Sequence, residues 1–197
     1  RPSRFSFLNV LAGKYVNETV LATASVLSTA VIEQVEVGTA AEPRHRLSPY
    51  ASISWKPFDE QDIRFRAFYK NIFRMPTFND LYYARVGNAG LRPEITDQWN
   101  AGITWTMSGS RRSPGWLPLL SVTADVFHNR VHDKIIALPT KNIFVWSMVN
   151  LGEVAITGAD LSLESSFVLG KGYTFVAGGT YSYQRALDIT EIGRAHV

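Results

Sequence analysis

Residues 63–74 alternate without a break. Ile63, Phe65, Ala67, Tyr69, Asn71 and Phe73 hold one parity; Arg64, Arg66, Phe68, Lys70, Ile72 and Arg74 hold the other. A period of two places these sets on opposite faces of a strand. One face is mainly apolar and the other carries four cations, so the strand separates two different environments. Leu47, Pro49, Ala51, Ile53 and Trp55 alternate with polar neighbours in the same way. So do Trp99, Ala101, Ile103, Trp105 and Met107, and later Tyr173, Phe175, Ala177, Gly179, Tyr181 and Tyr183. Residues 120–126 and 155–167 alternate less purely, and residues 20–32 are small or apolar on both faces. No segment shows a convincing helical period. The expectation is an all-β chain of about eight long antiparallel strands bounded by turn signals. Short polar connections at 59–62 and 170–172 should switch with longer ones at 37–46, 77–95 and 139–142. A basic connection at 108–115 carries Arg111 and Arg112.

Two architectures alternate like this. A soluble β-sandwich has strands of about 5–6 residues and a charged outer face. Here the strands are about twice that long, near the 9–11 residues that cross a bilayer at a tilt. Ala and Gly occupy the middle of the apolar face, while Trp55, Tyr69, Trp105, Tyr173 and Tyr183 lie near strand ends. Aromatic girdles around an apolar band, with a polar interior, mark outer-membrane barrels. Arg64, Arg66, Lys70, Arg74, Asp160 and Glu164 would be costly in a dry core unless paired. A wet or plugged lumen accommodates them. The pattern therefore favours an antiparallel transmembrane β-barrel, with the sandwich as the alternative.

Composition excludes several other classes. The 197 residues include no cysteine, which removes disulfides and thiolate metal sites. The net charge of +3 comes without a Lys/Arg block, so nucleic acid is not expected as a partner. No apolar run reaches the ~20 residues of a membrane-spanning helix. His128 and His132 mimic a metal-binding pair, but four strand residues separate them by ~13 Å. Asp160 and Glu164 have the same spacing, and lumen salt bridging suits them better than acid–base chemistry. The cationic stripe on residues 64–74 would pair with neighbouring carboxylates or attract an anionic ligand. Asn17-Glu18-Thr19 matches a glycosylation sequon without further support. No phosphate loop, nucleophile motif, metal cluster or cofactor site is expected.

One connection is unusual. FRMPTFNDLYYARVGNAGLRPE, residues 73–94, places Phe78, Leu81, Tyr82 and Tyr83 where water is expected. Pro76 and Pro93 end strand pairing at its edges, and Gly87 and Gly90 permit tight turns. The aromatics either pack as a small cluster that folds the loop onto the rim, or, through Tyr82, Tyr83 and Arg85, line a mouth and touch a ligand. Both hold if the side chains divide the work.

This stretch resembles a segment of TonB-dependent outer-membrane receptors. Phe73, Arg74, Pro76, Thr77, Phe78, Asp80, Leu81 and Tyr82 match one family element. Gly87, Asn88, Leu91, Pro93 and Glu94 match the next, followed by Trp99. Asn150, Gly152, Gly158, Ala159, Asp160 and Leu161 match another strand, with Asp160 where Glu is more usual. The wording is most similar to the shorter receptors of Bacteroidetes-type bacteria. The resemblance implies part of a barrel of about 22 strands, here its C-terminal part over residues 1–190, with the plug domain absent. It implies bacterial outer-membrane placement, and binding at the outer face of a scarce nutrient: a ferric siderophore first, then cobalamin or haem, with glycans and peptides open. Import would use energy from the TonB inner-membrane complex, acting through the plug. The bilayer is the remaining partner, and no enzyme activity is implied. Ligand-contact candidates are Phe78, Asp80, Tyr82, Tyr83, Arg85 and Asn88. A complete small barrel, acting as an adhesin or passive pore, is the competing reading. Residues 191–197, EIGRAHV, abandon the alternation and can be encoded by a common sequencing adapter. They are expected not to be natural protein, so Arg194 and His196 enter no site.

Overall fold

The computed structural model describes residues 2–36, 43–83, 86–107, 119–140, 144–169 and 172–190, without the side chains of 168 and 169. These form β1 (Pro2–Val16), β2 (Val20–Val35), β3 (Arg44–Trp55), β4 (Asp62–Arg74), α1 (Phe78–Tyr82), β5 (Glu94–Met107), β6 (Leu119–Pro139), β7 (Trp146–Leu169) and β8 (Tyr173–Asp188). All eight strands make one sheet in chain order, each antiparallel to the next. A sandwich needs a second sheet facing the first, and the described residues contain none. Nor does β8 pair with β1, as an eight-stranded closed barrel would require. The sheet is an open arc of barrel wall.

The structure corrects the expected elements in three places. A five-residue helix, α1, stands in the aromatic connection, where no helix was expected. Strand β3 begins at Arg44 and β5 at Glu94, so two connections are shorter at their ends than the turn signals suggested. Strands β6 and β7 run for 21 and 24 residues, about twice the crossing length, so their hairpin stands beyond any bilayer. The tail at 191–197 lies outside the described residues, as do Arg85, Arg111 and Arg112.

Register turns the alternation into two surfaces. Tyr69 pairs with Trp99, and Trp99 with His128. One step along, Ile53, Ala67, Ala101, Val126, Ala159 and Tyr183 form a row across six strands. One step further, Trp55, Phe65, Ile103, Ala124, Leu161 and Tyr181 form another. The opposite face carries Arg66, Gly102, Asp125, Asp160 and Ser182 in one row. Pairing of β3 with β4 ends at Tyr50, next to Pro49, which has no N–H for the ladder.

Water-excluding packing is sparse on both faces: Leu11 is 81% exposed and Tyr183 56%. The compact apolar cluster sits instead at the end with the long connections. There Leu81, Leu91 and Ile135 are buried against Met148.

Candidate functional site

The connection from β4 to β5 folds on itself first. Thr77 caps α1: its hydroxyl accepts from the Asp80 N–H at 3.2 Å, and the Asp80 carboxylate accepts from the Thr77 N–H at 2.8 Å. This reciprocal box stabilises a helix that is too short to persist by propensity alone. The Tyr83 carbonyl then accepts from Val86 at 3.1 Å and Gly87 at 2.8 Å. A Cβ at position 87 would stand 2.6 Å from the Tyr83 nitrogen, so the turn closes only around glycine. The Asn88 N–H returns to the Asp80 carbonyl at 2.8 Å.

The folded loop is then clasped to the β6–β7 hairpin. Val86 accepts from the Met148 N–H at 2.8 Å, while the Asn88 side chain donates to the Met148 carbonyl at 2.9 Å. The Asn150 amide accepts from the Arg92 N–H at 2.8 Å and donates to the Arg92 carbonyl at 3.0 Å. It also donates to the Asp133 carbonyl at 2.8 Å. Asp133 takes a left-handed backbone, φ 54°, which aspartate tolerates, and its carboxylate pairs with Arg92 at 2.6 Å. Buried Glu94 accepts from the Ile135 N–H at 2.6 Å and from Arg74 at 2.8 Å, with Lys134 at 3.5 Å. On the other flank Arg4 donates to the Pro76 carbonyl at 2.6 Å and lies 5.0 Å from the Phe78 ring centre, while also pairing with Glu33.

Glu94 stands five residues beyond Trp99, about 16 Å along the strand, clear of the aromatic rows. Burial raises its pKa, but the Ile135 N–H, Arg74 and Lys134 outweigh burial and hold the carboxyl below its ordinary value. It is therefore ionised at neutral pH and acts as the anionic centre of the clasp.

The candidate contact residues divide by exposure. Leu81 is buried and Phe78 half-buried under Arg4. Asp80 is engaged as cap and lies 3.8 Å from Arg74. Asn88 is engaged with Met148 and with the Gly90 N–H. Tyr82 is exposed, and Tyr83 more so at 64%. The aromatic loop thus divides, with Leu81 inside, Phe78 half-buried, and Tyr82 and Tyr83 at the surface. Sequence reasoning missed Arg4, Asp133 and Met148, whose partners lie far along the chain. Asn150 and Glu94 were marked by motif but without their partners.

The six charged candidates share the polar face by register. Arg66 pairs with Asp125 at 3.0 Å and Arg74 with Glu94, while Arg64 reaches Ser54 at 3.3 Å. Among the described residues Lys70, Asp160 and Glu164 have no ion pair, so the salt bridging expected of the two acids is not found within this sheet. His128 bonds Thr157 at 2.8 Å and His132 bonds Glu153 at 2.9 Å, each in a separate contact.

Comparison with known proteins decides what kind of wall this is. The family profile described as TonB dependent receptor-like, beta-barrel, matches residues 12–195. The chain belongs to this family. The vitamin B12 transporter BtuB of Vibrio vulnificus is 30% identical over 98 residues, covering 50% of this chain and 14% of that protein. The FrpB iron transporter of Neisseria meningitidis, F3-3 variant, superposes with TM-score 0.64 at 16% identity over 94% of this chain and 26% of its own. The copper transporter OprC superposes with TM-score 0.65 at 15% identity over 93% of this chain and 30% of its own. This TonB-dependent receptor-like chain thus spans a minor part of the proteins it matches. In a barrel of this family the apolar face meets lipid and the polar face meets the lumen. Trp55, Tyr69, Trp105, Tyr173 and Tyr183 all project from the apolar face by register. From Tyr173 to Tyr183 is about 33 Å of strand, which at a tilt near 40° gives the ~25 Å height of a barrel's apolar band.

Proposed function

We propose that this chain is wall and rim of an outer-membrane receptor that binds a scarce nutrient at the cell surface and imports it with TonB-coupled energy. The long-connection end faces outward. The clasped loop is a fixed pillar at the mouth, and Tyr82 and Tyr83 are its ligand-facing side chains. The observation that carries this is the division within the loop: its apolar and polar anchors are consumed in the clasp, leaving two adjacent phenols exposed on a rigid support. Arg85 joins them as a contact by sequence position. A nutrient complex with flat ring faces and polar edges suits such a surface, because phenols offer both stacking faces and hydrogen-bonding tips. Ferric siderophores come first, cobalamin and haem next. The relatives named for vitamin B12 and iron support this range.

Lys70, Arg64, Asp160 and Glu164 face the lumen with charge unmatched by this sheet, which suits a plug domain supplied by the rest of the receptor. The TonB inner-membrane complex would act through that plug. The test is uptake by cells carrying the whole receptor, offered a radioiron-loaded siderophore, labelled cobalamin or haem as sole source. Uptake of one of these, abolished by collapsing the proton gradient, supports the reading. Passive, gradient-independent leakage of all three would count for a pore.

A further inference from the structure

The lipid-facing surface is not uniform. A groove of about 700 Å³ runs across it from β3 to β7, and its lining is almost wholly apolar. Ala67 and Ala101, paired across β4 and β5, form its floor. On one side stands a ledge of Tyr69, Trp99 and His128, with ring centres 5.5 and 5.8 Å apart. On the other, Ile53 and Val126 flank the alanines, and the next row on β5 and β6 is Ile103 and Ala124. The groove crosses four interstrand gaps, about 19 Å. Small side chains set beside the aromatic ledge make a recess rather than a flat wall.

The polar end is built as well. One register step beyond the upper ledge, Asp97 accepts from the Tyr69 hydroxyl at 2.6 Å and from Asn71 at 2.8 Å. Arg130 pairs with Glu153 beside it, and His132 lies between Glu153 and Asp97. Donors and acceptors therefore gather on the lipid-facing side directly above an apolar slot, at the depth where phenol and indole tips mark the membrane interface.

We propose that this groove holds one acyl chain of an outer-leaflet lipid, with its headgroup against the cluster of Asp97, Arg130 and Glu153. The groove is continuous with the bilayer-facing band on every neighbouring strand, which makes a lipid its occupant rather than a protein segment. The chain gains contact with floor and ledge at once, where a flat wall offers one side. The inference rests on the membrane placement proposed above.

The test uses the whole receptor in vesicles of phosphatidylethanolamine and phosphatidylglycerol. A small share of the phosphatidylethanolamine carries a photoreactive diazirine on its acyl chain. After illumination, labelled peptides are mapped. The expected result is several-fold more label on β4 and β5 around Ala67 and Ala101 than on the equally lipid-facing β8 segment around Gly179 and Tyr181. Ala67→Phe with Ala101→Phe should remove the excess, and Ala101→Leu alone should reduce it; both variants are checked for native, heat-modifiable mobility. Label spread evenly over β4, β5 and β8 overturns the groove. So does an excess that survives filling of the floor in a folded variant. Failure of the receptor to float with vesicles overturns the membrane placement itself, a result distinct from even labelling.

Discussion

Arg66 on β4 and Asp125 on β6 bond at 3.0 Å although a whole strand lies between them. They meet over Gly102 of β5, the residue paired with both; a Cβ there would collide with the Asp125 carboxylate. The pair settles where one lumen cation goes, and it depends on a glycine in mid-strand. Gly102→Ala should displace the Asp125 carboxylate and cost about as much stability as Asp125→Ala, up to about 1 kcal/mol each for a pair this exposed. The double variant should cost little more than either. Unfolding midpoints of the whole receptor in detergent measure this; full additivity would show that the two residues act separately.

Asn150 ties both backbone polar groups of one residue, Arg92, to the β6–β7 hairpin. Asn150→Ala removes three hydrogen bonds to exposed or half-buried backbone groups, each worth about 0.5–1.5 kcal/mol, so the clasp should loosen by about 1–3 kcal/mol. Limited chymotrypsin digestion should then cut after Tyr82 and Tyr83 much faster than in the parent. Unchanged cutting would mean that the loop is held by its apolar cluster alone.

Glu94 makes the clasp sensitive to acid. Its folded pKa lies below the ordinary glutamate value of about 4.3. A lowered folded pKa contributes stability that is fully present above the unfolded value and is lost as pH falls through the folded value. The clasp should therefore be intact at neutral pH and weaken progressively below about pH 4. Exchange of the Ile135 amide, corrected for its intrinsic rate, should rise over that range. In Glu94→Gln the amide should be less protected at neutral pH, and that acid-dependent rise should be absent.

Tyr82→Ala and Tyr83→Ala should lower nutrient uptake by the whole receptor more than Arg112→Ala does, with little change in unfolding midpoint. Both tyrosines are exposed, so truncation removes contact surface without opening a core. Equal effects of all three substitutions would remove the aromatic loop from the ligand mouth.

The 197-residue chain on its own should aggregate in water. Strands β1 and β8 each leave one edge unpaired, and apolar side chains such as Leu11 lie bare. Light scattering and sedimentation check this. A soluble, cooperatively unfolding monomer would contradict the open-arc fold.

Strand character and face were legible in residues 63–74 because alternation is local: each side chain reports its own environment. The motif Asn88, Leu91, Pro93 and Glu94 likewise marked the aromatic connection as special. What each motif residue does was not legible. Asp80 and Asn88, read as contact candidates, spend their polar atoms on capping and on Met148. The helix α1 was hidden because five residues show no period; its box of Thr77 and Asp80 was the available signal.

The sequence by itself determined that this chain is long antiparallel strands with a lipid-like face, a charged face and one aromatic rim loop. The tertiary structure alone decided that Arg66 finds Asp125 over Gly102. It also decided that Asn150 and Glu94 lock the loop, and that two alanines beside an aromatic ledge make a groove. The reason is register. Which side chains meet across strands depends on pairings tens of residues apart, fixed by the summed burial and hydrogen bonding of whole strands.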